Sequence, residues 1–164
     1  MMLEKLFELA TPHLKKNDFG VAHTRRVFKI AREHFNIPNN IEELTLASIV
    51  LHDIGGSTIK EQYERGPEIA KNLLSQLRYG SDFVKDVCEI IRTHHNHPEN
   101  PSLSFKILHD SDRLVMFSPE EFPYYDVRQS FDWNTVIDSI YTKHAKNLAK
   151  IMLKKSKTIH AYFI

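Results

Sequence analysis

Residues 49–56 read IVLHDIGG, and this stretch decides the fold that we expect for the chain. The preceding residues are nearly all apolar from Leu44 onward, which is typical of a helix buried on most sides. His52 and Asp53 follow, and two glycines are expected to end the helix. A carboxylate here lies unfavourably at the negative end of the helix macrodipole and loses hydration on burial. A nearby cation would offset both costs. The stretch therefore predicts a central buried helix with two candidate metal ligands, the alternative being a core histidine beside a helix-end aspartate.

Composition favours one globular domain. The chain has 164 residues, of which 41% are hydrophobic and 26% are charged, so disordered and fibrous classes are excluded. We expect a single domain over residues 1–164. Lys and Arg number 22 and Asp and Glu 21, which leaves 22 − 21 = +1 and no overall charge for binding nucleic acid.

Cysteine content and the N-terminal segment indicate a cytoplasmic protein. Cys88 is the only cysteine, so neither an intrachain disulfide nor a zinc-thiolate cluster can form. Glu4 and Glu8 interrupt the apolar pattern at the start of the chain, unlike the core of a signal peptide. No apolar run reaches the roughly 20 residues of a membrane-spanning helix. We therefore expect no membrane partner.

Hydrophobic periodicity predicts an all-α bundle of six or seven helices. The predicted helices cover about 3–14, 21–34, 41–54, 66–77, 81 to just before 98, 103–117 and 134–157. Residues 118–133 contain two prolines and five aromatic residues without a period, and are predicted to be an ordered loop.

The last predicted helix carries six lysines between Lys143 and Lys157. An apolar stripe runs through the same residues, so a solvated outer face is favoured over a nucleic-acid surface. The stripe serves a core and a dimer interface alike, which leaves open whether the chain forms homo-oligomers.

Two ligands are too few for a tight metal site, and two further candidates occur on other predicted helices. His23 lies in the first turn of the second helix, in AHTRRV, and Asp112 lies in LHDSDRLVMF. Both share the inward period of their helices. Taken alone, each residue type is more often a capping or salt-bridged side chain than a ligand.

Taken together, the segments HTRRV, LHDIGG and DSDRL resemble the HD-domain superfamily of metal-dependent phosphohydrolases, over about residues 18–117. The resemblance implies an all-helical core and four metal ligands, His23, His52, Asp53 and Asp112. Asp110 competes for the last place. Asp112 is preferred because it directly precedes an arginine, as in the family segment.

The resemblance also bears on a second metal ion. His94 and His95 stand where many relatives have a histidine for a second metal or for substrate, and His94 matches better. Some two-metal relatives open the next helix with a histidine in an HGPxGA-like segment. This chain has RGPEIA, with Arg65 at that point, which argues against a complete second site and provides a cation suited to phosphate.

The activity implied is hydrolysis of a small phosphorylated substrate, a phosphoester or nucleotide, by a metal-activated water. Nitrogen and oxygen ligands suit one divalent ion of Mn, Fe, Ni, Co or Zn. Asp53 would orient or deprotonate the water, and His94 would steady the transition state or protonate the leaving oxygen. Candidate substrate-binding residues are Arg26, Lys60, Arg65 and His95. The alternatives are a non-catalytic metal-containing regulatory module and a two-metal oxygenase.

Overall fold

The computed structural model describes residues 2–163, and this range contains nine α-helices and no strand. The helices are α1 (Met2–Leu14), α2 (Gly20–His34), α3 (Asn39–Leu51), α4 (Ile59–Gln76), α5 (Ser81–Thr93), α6 (Leu103–Val115), α7 (Phe122–Asp126), α8 (Trp133–Ser139) and α9 (Lys143–Phe163). The all-α class is therefore confirmed. The predicted number of six or seven helices is wrong.

The two extra helices come from residues 118–157. Residues 118–133 are not one loop, because they contain α7, which is too short to show a helical period. The predicted helix over 134–157 is interrupted where Ile140 adopts an extended backbone. There the backbone N–H groups of Tyr141 and Thr142 donate to the Asp110 carboxylate instead of continuing a helix.

The chain divides between Leu108 and His109, within α6, into two compact units. The prediction of one HD-type domain over residues 1–164 stays a prediction. In the first unit, α3 packs against α1, α2 and α5, and α4 packs against α5. Every residue of α3 from Thr45 to Leu51 is buried. The central buried helix expected from the apolar run is therefore present, although it ends at Leu51 rather than at residue 54.

Helix α4 begins seven residues before its predicted start. The Thr58 hydroxyl accepts a hydrogen bond from the Glu61 N–H, and the Glu61 carboxylate accepts one from the Thr58 N–H. This reciprocal capping box satisfies two of the backbone donors that a helix start leaves unpaired. Its signature, a threonine three residues before a glutamate, is visible in the sequence and was not used in the prediction.

The turn after α3 lies directly against α4. A Cβ atom added to Gly55 would lie 2.7 Å from the Gly66 backbone nitrogen, closer than carbon and nitrogen atoms can approach. Gly56 has φ of +148°, a conformation that side chains disfavour. The two glycines therefore do more than end α3, because they let its C-terminal turn contact the α4 backbone.

The second unit has an aromatic core. Phe122 of α7 stacks on Trp133 at the start of α8, with ring centroids 4.6 Å apart. The Asp126 carboxylate accepts hydrogen bonds from the Trp133 indole N–H and from Nδ1 of His160 on α9. Lysines of α9 are mostly exposed, as expected for a solvated face.

Within residues 2–163, none of the helices combines the length and the apolar character that crossing a bilayer requires.

Candidate metal centre

Two buried histidines occupy equivalent places at the ends of α3 and α5. His52 and His94 each follow the last residue of a helix and keep a helical backbone conformation. Nδ1 of His52 donates to the Ile49 carbonyl at 2.7 Å, and Nδ1 of His94 donates to the Ile91 carbonyl at 2.6 Å. Carbonyls at a helix end lack intrahelical donors, so these bonds form readily. Each neutral ring is left with an unprotonated Nε2.

Three donor atoms of the first unit lie nearly at the corners of an equilateral triangle. Nε2 of His23 is 3.4 Å from Nε2 of His52 and 3.4 Å from Oδ2 of Asp53. Nε2 of His52 is 3.3 Å from the same Asp53 oxygen. A point equidistant from three such atoms lies about 2 Å from each, the length of a bond from nitrogen or oxygen to a divalent metal ion.

The chemistry of these atoms fits a cation. Nε2 of His52 carries a lone pair and faces an acceptor oxygen of Asp53, a contact that is unfavourable unless positive charge lies between the two atoms. His52 is fully buried, so water cannot relieve it. Imidazole and carboxylate ligands suit first-row divalent ions. His23, His52 and Asp53 could therefore hold a metal ion, as the sequence predicted.

The other Asp53 oxygen faces His94. Oδ1 of Asp53 lies 3.8 Å from Nε2 of His94, and this buried nitrogen has no hydrogen-bond partner among residues 2–163. Burial lowers the pKa of His94 to about 3, and the neighbouring His95 and His52 rings act in the same direction. His94 is therefore neutral near pH 7, with its lone pair directed toward a carboxylate.

Asp53, His94 and His95 form a further group whose ligand atoms lie within 4.8 Å of one another. The rings of His94 and His95 are 3.9 Å apart between centroids. The expectation that Arg65 argues against a second metal rested on one position of α4. The structure provides a second donor group that does not use that position.

Two residues that sequence reasoning missed hold this centre in place. The Asn17 side-chain amide donates to the Asp53 backbone carbonyl at 2.8 Å, and the Gln62 side-chain carbonyl accepts a hydrogen bond from Nε2 of His95. Asn17 lies between α1 and α2, and Gln62 lies on an amphipathic stretch of α4. An amide at either position carries no periodic or motif signal, so only the tertiary contacts reveal these roles.

The predicted phosphate-binding cations are placed unevenly. Arg26 is half-buried on α2, one turn after His23. Lys60 and Arg65 are exposed on α4, and within the described range neither makes a hydrogen bond or ion pair with the donor groups above. Arg65 instead interacts electrostatically with Glu61. Their roles toward substrate stay predictions.

Asp110 and Asp112 belong to the second unit and differ clearly in their surroundings. Asp110 is fully buried, and its two oxygens accept hydrogen bonds from the Tyr141 N–H, the Thr142 N–H and the Thr142 hydroxyl. Asp112 forms an ion pair with Arg113 at 3.3 Å. The assignment of Asp112 as the fourth ligand stays a prediction, and the bonds of Asp110 argue against the competitor.

The first unit is all-helical and brings histidines and an aspartate together in candidate metal-binding groups. The HD domain family model matches residues 20–116, more than half of the chain, and the chain therefore belongs to the HD domain family. No curated protein matches the chain. It is similar to the crystal structure of a predicted HD superfamily hydrolase from an uncultured Thermotogales bacterium, with 22% identity and a TM-score of 0.67. That match covers 98% of this chain and 90% of the other. Because the two sequences are 22% identical, the match shows a shared fold and nothing about activity.

Proposed function

We propose that this protein is a metal-dependent phosphohydrolase that acts on a phosphoester or nucleotide-type small molecule. The observation that carries the proposal is the convergence of His23, His52 and Asp53 on one point with their acceptor atoms 3.3 to 3.4 Å apart. We assign Asp112 as the fourth ligand from the family segment. A divalent ion held by these residues would acidify a water molecule and polarise a phosphoryl oxygen.

Asp53 has two tasks in this proposal. One carboxylate oxygen lies beside His23 and His52, and the other faces His94. The second oxygen is the group that we assign to orient the attacking water and accept its proton. The hydrogen bond from the Asn17 side chain to the Asp53 backbone carbonyl restrains the backbone at this residue. This restraint helps to keep the two carboxylate oxygens of Asp53 in these two positions.

His94 acts in the proposal as a lone-pair donor rather than as an acid. Its Nδ1–H is engaged by the Ile91 carbonyl, so protonating the leaving oxygen would require a second proton on a ring that is 2% exposed. The same lone pair suits a second ion shared with Asp53 and His95, or a hydrogen bond from substrate. Arg26, Lys60 and Arg65 are assigned to neutralising phosphate charge, with Arg26 nearest in sequence to a ligand.

A metal-supplemented hydrolase screen tests this function. Purified protein, prepared with divalent metal available, should contain about one tightly held transition metal per chain and release phosphate or a nucleoside from a member of a phosphomonoester and nucleotide panel. Asp53→Ala, run beside it, should be inactive. Protein that stays metal-free after preparation with metal contradicts the proposal.

Two other functions give different outcomes in the same screen. A non-catalytic regulatory module would contain metal and be stabilised by ligands without turnover of any panel member. A two-metal oxygenase would consume oxygen with bound iron, and the group of Asp53, His94 and His95 is an observation that favours a second ion.

A further inference from the structure

One hydrogen-bonded chain links three segments around the candidate centre. The Gln62 side-chain amide donates to the Gly56 carbonyl at 3.0 Å, and its carbonyl oxygen accepts from Nε2 of His95. Gly56 lies in the turn after α3, Gln62 lies on α4, and His95 lies just after α5. The Gln62 side chain is buried, with 6% exposure, while Gly56 and His95 are half-buried. The sequence prediction did not assign Gln62 any role.

The chain determines which atoms carry hydrogen. The Gly56 carbonyl can only accept, so the NH₂ group of Gln62 must point toward it. The carbonyl oxygen of Gln62 then faces His95, and Nε2 of His95 must be the donor. A neutral imidazole has one donor and one acceptor nitrogen. In the neutral ring the lone pair is therefore on Nδ1.

We infer that Gln62 is a positioning residue that fixes the His95 ring and its tautomer, so that Nδ1 serves as the donor atom beside Asp53 and His94. Nε2 is committed to Gln62, and a ligand atom of His95 belongs to the group within 4.8 Å. Metal-binding histidines usually donate their other ring N–H to an oxygen that fixes the tautomer. The inference rests on the proposed function, because it assigns this group to a second metal ion.

Two substitutions at one position separate positioning from packing. Gln62→Met keeps the length of the side chain and removes both hydrogen bonds. Gln62→Glu also removes the donor to Gly56, but its carboxylate still accepts from His95 Nε2. A role limited to holding the Gly56 turn would therefore affect both variants equally. Gln76→Met, an exposed glutamine of α4, is the matched control.

The first readout is the tautomer in metal-free protein. Long-range ¹⁵N–¹H correlation spectra distinguish the two ring nitrogens, and His95 should carry its hydrogen on Nε2 in the unsubstituted protein and in Gln62→Glu. Gln62→Met should populate the other tautomer. A hydrogen on Nδ1 of His95 in the unsubstituted protein overturns the inference, even where Gln62→Met does not fold.

The second readout is calorimetric titration with Mn²⁺ alone. The unsubstituted protein should bind a first ion tightly and a second ion more weakly. Gln62→Met should weaken the second ion by about 10- to 100-fold and leave the first unchanged, whereas Gln62→Glu and Gln76→Met should retain both. Equal weakening in the two Gln62 variants overturns the inference. Neither readout uses turnover, so a negative hydrolase screen counts against the proposed function and not against the role of Gln62.

Discussion

The tripeptide Leu-His-Asp occurs twice in this chain, at residues 51–53 and 108–110, and the two copies have different structures. In the first copy, His52 directly follows the last residue of α3, and the Asp53 carboxylate lies among histidine nitrogens. In the second copy, His109 and Asp110 lie inside α6, and Asp110 binds backbone N–H groups just before α9.

The difference shows that the partners decide what a His-Asp pair does. Asp110 receives three hydrogen bonds from Tyr141 and Thr142, which satisfy its charge without a metal ion. The His109 ring packs edge-on against Tyr141, with centroids 4.8 Å apart. Asp53 faces Nε2 atoms of His52 and His94 that carry lone pairs in the neutral rings, an arrangement that a bound cation would stabilise. The first copy is thus a candidate centre, and the second is a structural cap.

The largest expected effect is the loss of activity and of bound metal on changing the first copy. His52→Ala and Asp53→Ala should each lower the rate of hydrolysis by more than roughly 100-fold, because each removes a proposed metal ligand. Replacing residues that only hydrogen-bond to metal ligands usually costs up to about 100-fold. Metal content measured by mass spectrometry should fall as well, while helical circular dichroism persists. His144→Ala, an exposed histidine of α9, is the control. Full activity in both His52→Ala and Asp53→Ala would mean that the first copy, like the second, is not a metal centre.

The turn after the first copy is expected to be the most sensitive point for stability. In Gly55→Ala the added Cβ would lie 2.7 Å from the Gly66 nitrogen, so α4 must move, at a cost of about 3 kcal/mol or more in the free energy of unfolding. Gly80→Ala adds the same atom where nothing lies within 4 Å and should change stability little. Urea denaturation of both variants measures the difference. Equal stabilities would mean that the turn does not pack against α4.

Replacing Asp110, the aspartate of the second Leu-His-Asp copy, should destabilise the protein without changing its metal content. Asp110→Ala leaves the N–H groups of Tyr141 and Thr142 without their acceptor, which should cost about 1 to 3 kcal/mol in the free energy of unfolding. Metal content should remain that of the unsubstituted protein. Asp112→Ala should do the reverse, lowering metal content with a smaller loss of stability. If Asp110→Ala lost the metal and Asp112→Ala retained it, Asp110 rather than Asp112 would be the fourth ligand.

The smallest effect is expected at the start of α4. This helix contains Gln62, which hydrogen-bonds to the turn that follows the first Leu-His-Asp copy. Thr58→Ala removes one half of the capping box and should lower the free energy of unfolding by about 1 kcal/mol. Thermal denaturation of Thr58→Ala beside Thr58→Ser, which retains the hydroxyl, measures this contribution. A serine variant as unstable as the alanine variant would contradict a capping role.

Much of the first unit could be predicted from local patterns. The buried helix α3 follows from its unbroken apolar run, and the pairing of LHDIGG with HTRRV indicated that His23, His52 and Asp53 act together. Residues 118–142 could not be predicted, because α7 and α8 are shorter than the window in which a period can be recognised. The break before α9 depends on Asp110, about 30 residues away in the chain.

The sequence by itself determined the all-α class and the residue types of the candidate centre, since apolar periodicity and the order of the histidines and aspartates are local properties of the chain. Tertiary structure alone decided that the ligand atoms of His23, His52 and Asp53 lie 3.3 to 3.4 Å apart, that Gln62 binds His95, and that Asp110 is a cap. A hydrogen bond joins atoms that are distant along the chain, so its existence depends on how the helices pack. The same Leu-His-Asp tripeptide could therefore become a candidate metal centre in one place and a cap in another.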